Sequence, residues 1–138
     1  MSKVFLDTNI LVYGFDAKDP IKRDACRGLV EKVRRDGNGV ISTQVLQEFY
    51  VTATTKFGAD PLAVKELVSS FADFAIVTNT VGVIQSAIDC QVLFRISFWD
   101  ALIIAAAESA RCDRVWTEDM NPGQVIRGVR IENPLKGR

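Results

Sequence analysis

No histidine occurs anywhere in the 138 residues. That absence removes the usual neutral-pH general base, every Ser-His-Asp arrangement and every histidine-ligated zinc centre. Any acid–base work must then fall to carboxylates, lysine, tyrosine or metal-activated water. Cysteine is scarce too. Cys26, Cys90 and Cys112 are far apart, odd in number and without a C-x-x-C pair, so neither a disulfide framework nor a cysteine zinc site is expected, and the three read as packed thiols. Long apolar runs are missing. The longest, such as Ala101 to Ala107, fall far short of the ~20 residues of a bilayer span, and only Met1-Ser2-Lys3 precede the first apolar stretch, which leaves no room for a signal peptide. A cytoplasmic protein with no membrane partner is therefore expected. Charge of one sign is lacking as well: 17 basic and 17 acidic residues cancel, so the total predicts no general attraction to nucleic acid, and the distribution of charge matters more.

With 48% apolar and 25% charged residues, the chain reads as one ordinary globular domain over residues 1–138, long enough to bury roughly two thirds of its unfolded surface. Short apolar runs alternate with helical patterns. Lys3 to Leu6, Val40-Ile41, Phe74 to Val77 and Arg114 to Thr117 read as strands, with Val129 to Glu132 as a fifth. Asn9 to Phe15, Ile21 to Arg35, a segment capped by Ser42 or Thr43 and running to about Phe57, Leu62 to Phe71, Val81 to Phe94 and Ser97 to Arg111 read as helices. Strands separated by helices imply an α/β fold with a central, mainly parallel sheet of four to five strands and helices on both faces. No repeat or interdomain linker is visible.

In such open sheets ligands gather beyond the carboxyl ends of the strands, where strand order reverses. The stretch KVFLDTNILVY places Asp7 at the end of the first strand, and Asp119 follows the fourth. A third acid, Asp100, falls in the first turn of the helix in SFWDALIIAAAESA, which is apolar on nearly every face and so should be buried. Glu48 flanks the apolar stripe of the helix in STQVLQEFYVTA. Each acid alone has a plain structural account. Asp7 and Asp100 would serve as helix caps, Glu48 as a solvated helix residue and Asp119 as a turn residue before Asn121-Pro122-Gly123. Four carboxylates in one crevice, however, repel one another and raise one another's pKa values, so a cation is needed between them. With oxygen donors and no histidine, Mg²⁺ or Mn²⁺ is the natural occupant.

These residues resemble a known family. FLDTNILVY at Phe5 to Tyr13, Glu48 in its helix, FWDALIIAAA at Phe98 to Ala107 and VWTEDM at Val115 to Met120 are together similar to a PIN domain, in particular to the VapC-type ribonuclease toxins of prokaryotic toxin–antitoxin pairs. The resemblance covers about Lys3 to Pro134. LDTN by itself is a weak signal; the four signatures in order form a specific one. The resemblance implies a three-layer α/β/α fold and an acidic quartet of Asp7, Glu48, Asp100 and Asp119. It implies supporting polar residues Asn9 and Thr117, a homodimer, and a cognate antitoxin that blocks the cleft. It also implies metal-assisted hydrolysis of RNA phosphodiester bonds. Asp7, Asp100 and Asp119 would be metal ligands, and Glu48 or Asp119 would take the proton of the attacking water. Whether Glu118 or Asp119 faces the site depends on strand register, because neighbours in a strand point to opposite sides; Asp119 is the expectation.

Of the 17 acidic residues, these four leave 13 for the rest of the surface against 17 basic ones, so the surroundings of a metal-loaded site can be net positive. Lys18, Lys22, Arg23, Arg27, Arg34 and Arg35 on the second helix, with Lys136 and Arg138 at the tail, are candidates for phosphate contact. Trp99 and Trp116 are expected to wall the site with apolar packing. Two rival readings remain. A haloacid-dehalogenase-type phosphotransferase needs an acid two residues beyond its first, where this chain has Asn9. A PIN-like module that binds RNA or protein without cleaving is disfavoured by the complete quartet.

Overall fold

The computed structural model describes residues 2–136; Arg138 lies outside them. Each expected strand forms: β1 (Val4–Leu6), β2 (Gly39–Ser42), β3 (Ala75–Val77), β4 (Arg114–Trp116) and β6 (Val129–Glu132). A sixth strand, β5 (Val125–Ile126), joins them. It is two residues long and antiparallel to β6, while every other pairing is parallel. So short a strand shows no alternation, and its turn, Arg127-Gly128 with φ of 52° and 78°, has the left-handed geometry of a tight hairpin without the Asn-Gly or Asp-Gly signature that would announce it.

The sheet order is β3-β2-β1-β4-β6-β5. From β1 the chain steps outward one way through β2 to β3, then crosses back and builds the other half from β4. Strand order therefore reverses between β1 and β4. Right-handed crossovers place the helices preceding β3 on one face of the sheet and those between β3 and β4 on the other, giving the three-layer α/β/α architecture.

The first group comprises α1 (Thr8–Val12), α2 (Pro20–Asp36), α3 (Thr43–Thr55) and α4 (Pro61–Ser70). α1 is shorter than expected, because Tyr13–Phe15 tightens into a 3-10 turn. Gly37 closes α2 in a left-handed conformation (φ 70°), its N–H donating to Val33 and Arg34 carbonyls, as a helix-ending glycine does. Of the two candidates for the α3 cap, Ser42 is the one: its hydroxyl accepts from Val45 N–H, while Thr43 accepts from Asn79 N–H instead.

The second group is α5 (Val81–Phe94) and α6 (Phe98–Ser109). Ala101 through Ala107 are all buried, as an all-round apolar helix requires. Phe5, Leu6, Ile41, Ile103, Ile104 and Ile131 are among the fully buried core residues. Among the described residues no single helix is long and apolar enough to cross a membrane.

Candidate active site

The reversal between β1 and β4 opens a crevice beyond their carboxyl ends. Val4, Phe5 and Leu6 pair with Arg114, Val115 and Trp116, and the ladder runs one step further, Asp7 N–H donating to the Trp116 carbonyl at 3.0 Å. Register therefore sets Asp7 beside Thr117. The Thr117 hydroxyl, fully buried, donates to Asp7 Oδ2 at 2.8 Å and accepts from Asn9 Nδ2 and from Asp119 N–H, each at 3.2 Å. Its one proton and two lone pairs are thus all engaged. Asn9 Nδ2 also donates to Asp119 Oδ2 at 3.0 Å.

Asp7 does cap α1, accepting from Thr8 N–H at 2.7 Å, so its structural and its proposed chemical roles coincide. It is only 7% exposed. Burial pushes its carboxyl up to about 6; the Thr117 and Thr8 hydrogen bonds pull it down, and the charges of Glu48 and Asp119 add to the rise. Asp100 is raised for the same leading reason, burial, opposed by its bond to Ser97 and reinforced by Asp119 and Glu48. The Ser97 hydroxyl caps α6 by accepting from Asp100 N–H at 3.1 Å.

Asp7, Glu48, Asp100 and Asp119 all line one cleft of about 590 Å³. Glu118 does not. It forms an ion pair with Lys22 at 2.8 Å, on the other side of the chain from Asp119. The donor set suits a hard divalent ion: four carboxylates, two of them, Asp7 and Asp100, pushed towards protonation by burial and by the charges of Glu48 and Asp119. Among the described residues no three His, Cys, Asp or Glu side chains converge tightly enough to share one ion. Mg²⁺ does not require that, since it usually keeps several waters and takes one or two carboxylates.

Other residues of the cleft were not legible at the start. Thr8 donates its hydroxyl to Glu48 Oε1 at 2.7 Å, fixing the glutamate across the cleft from Asp7. Gln44, Gln47, Val51 and Thr52 join Glu48 as one stripe of α3, and Lys56 stands just past its end. The signal was present: once Glu48 faces the cleft, helical spacing brings these positions with it.

Two expectations are corrected. Trp116 is 8% exposed, outside the cleft, and donates its indole N–H to Glu132. Trp99 lines the cleft but is 62% exposed rather than packed. The basic residues of α2 do not line the cleft either. Lys22, Arg23 and Arg34 pair with Glu118, Asp24 and Asp73, and Arg27 Nε donates to the Gly14 carbonyl. Among the described residues Lys56 is the cation that does line it.

The fold is shared with solved toxins. A toxin–antitoxin complex from Klebsiella pneumoniae superposes with a TM-score of 0.70 at 21% identity, over 96% of this chain and 98% of that one. The DNA-bound VapBC of Salmonella typhimurium gives 0.69 at 19%, over 97% and 99%. Mycobacterium tuberculosis VapC20, a sarcin–ricin loop cleaving toxin, gives 0.63 at 16%, over 85% and 92%. No curated protein matches the sequence. The PIN domain profile matches residues 4–125, a span that includes β1 to β4 and all four cleft carboxylates, and the chain belongs to the PIN domain family.

Proposed function

We propose that the chain is a divalent-metal-dependent endoribonuclease that hydrolyses RNA phosphodiester bonds. It acts in the cytoplasm as the toxin of a VapBC-type pair, inhibiting translation until a cognate antitoxin protein covers the cleft. The observation that carries this reading is the meeting of Asp7, Glu48, Asp100 and Asp119 in one cleft at the point of strand reversal. The relatives give it context: the Klebsiella and Salmonella structures are a toxin–antitoxin complex and a VapBC assembly, and VapC20 is a sarcin–ricin loop cleaving toxin.

Asp7, Asp100 and Asp119 would hold Mg²⁺ or Mn²⁺ jointly, part of the contact passing through the waters such an ion keeps. The ion, when bound, supplies a Lewis acid for the phosphoryl oxygens and a means of acidifying water. The chain's own residues do the rest. Thr117 and Asn9 hold Asp7 and Asp119 in fixed orientations, as hydrogen-bonded partners of metal ligands do. Thr8 holds Glu48, and Glu48 or Asp119 takes the proton of the attacking water. No histidine is needed.

The protein works as a homodimer, for which α5 offers the surface: Val81, Ile84, Ile88 and Val92 recur at helical spacing along it and are all exposed, an apolar stripe of the kind that marks an interface.

Purified protein incubated with mixed RNA is expected to yield fragments in Mn²⁺ and none after chelation, with Asp100→Asn inactive under both conditions. Intact RNA with the metal present would leave a non-cleaving binding module as the surviving reading. For the toxin role, controlled expression in growing cells should arrest growth and create new RNA ends that Asp100→Asn does not.

A further inference from the structure

The cleft is longer than its acid cluster. Gln44 and Lys56 stand at the two ends of one stripe of α3, about 18 Å apart at helical rise, with Glu48 between them. At the inner end, Gln44 Nε2 donates to the Trp99 carbonyl at 3.4 Å, which fixes Trp99 beside it. Its own Oε1 is buried with no partner among the described residues. The Trp99 indole, although it lines the cleft, is largely open to solvent and has Phe98 as its ring neighbour. At the outer end, Lys56 makes no ion pair among the described residues. Its ammonium lies against Tyr13, 5.1 Å from the ring centre and 3.5 Å from the hydroxyl.

An exposed aromatic face at one end and an unpaired cation at the other, with carboxylates between, is an arrangement for a flexible polyanion carrying planar rings. Single strands are held by such combinations of stacking platform and basic contact. We propose that the cleft seats a single-stranded RNA along α3, with a base stacked on Trp99 and a backbone phosphate paired with Lys56, so that the intervening phosphate lies at the acids. The proposal rests on the ribonuclease reading and adds to it the residues that place the strand.

The test uses full-length Asp7→Asn protein, which does not cut its ligand, titrated with short single-stranded oligouridylate and oligoadenylate. Of the two tryptophans, Trp116 is buried, so Trp99 reports. Quenching of its fluorescence on binding is expected. In the same background, Trp99→Ala, followed by anisotropy of labelled RNA, should weaken binding about tenfold, and Trp99→Phe should recover most of it. Lys56→Met should weaken both RNAs equally and reduce the salt slope of log K by about 0.7, the loss of one phosphate contact on a single strand. If RNA binds and is cleaved by the wild type while both substitutions leave affinity and salt slope unchanged, the track is wrong and the ribonuclease stands. Should Trp99→Ala instead dissociate a dimer without altering RNA affinity, Trp99 belongs to a contact between copies and the proposal falls. Absence of both RNA binding and cleavage overturns the ribonuclease reading and the track together.

Discussion

Asp7 is an acid held against its charge by burial. Its carboxyl titrates near 6 in the folded chain against about 3.9 unfolded. The folded state therefore holds its proton more tightly, and the resulting stabilisation is complete below about pH 4 and is lost as pH rises through 6. At neutral pH the ionised, metal-free site costs about 3 kcal/mol relative to acid. Asp7→Asn removes the charge but gives up one of two accepted hydrogen bonds, worth about 1 kcal/mol. Metal-free Asp7→Asn should thus melt several degrees above the wild type at pH 7.5, a gain of about 2 kcal/mol that shrinks towards pH 4. Scanning calorimetry at both pH values checks it, and Mn²⁺ should raise the melting temperature of the wild type far more than that of the variant.

Neighbouring residues can have opposite fates. Glu118 is tied to Lys22, whose ammonium also sits 3.5 Å from the Tyr13 ring centre, whereas Asp119 is held by Asn9 in the cleft. Glu118→Gln should change stability by no more than about 1 kcal/mol and leave RNA cleavage near wild type, while Asp119→Asn should lower cleavage by about a hundredfold or more. Parallel cleavage assays decide between the two.

At the scale of elements, the site depends on how closely β2 approaches Phe74, just before β3, and Val33 of α2. A Cβ on Gly39 would overlap the Phe74 ring and come within 3.0 Å of Val33, both buried. The glycine is needed for space, not for an unusual backbone angle. Gly39→Ala should destabilise by about 1–3 kcal/mol through overpacking, measurable by urea denaturation, and should tilt the strand whose end launches α3 and with it Glu48. α6 makes the complementary argument. Its burial was readable from seven successive apolar residues, and its cap from Ser97, but that the same first turn delivers Asp100 to β1 and β4 required the crossover to be built.

At the scale of the molecule, the sheet turns sequence distance into proximity: positions 7 and 119 meet because β4 returns to the side of β1 that β2 left free. The outer face of α5 is then left uncovered. Val92, 75% exposed, should lie in the contact between copies, so Val92→Glu is expected to convert a dimer to a monomer in analytical ultracentrifugation while leaving the fold intact by circular dichroism. An unchanged sedimentation coefficient would remove α5 from the interface.

The sequence by itself determined the class of fold, five of the six strands and three of the acids that line the cleft, with the fourth narrowed to Glu118 or Asp119. Those features are written in local periodicity, in helix caps and in short motifs, all of which act over a few residues. β5 escaped because two residues carry no period, and the tryptophans were misjudged because burial of a side chain depends on what packs against it from elsewhere in the chain. Only the tertiary structure decided that Asp119 rather than Glu118 enters the cleft, that Thr117 links Asp7 to Asn9 and Asp119, and that Lys56, not the basic face of α2, brings positive charge to it. Each of those outcomes is fixed by strand register and by contacts between elements tens of residues apart, and none is encoded at any single position.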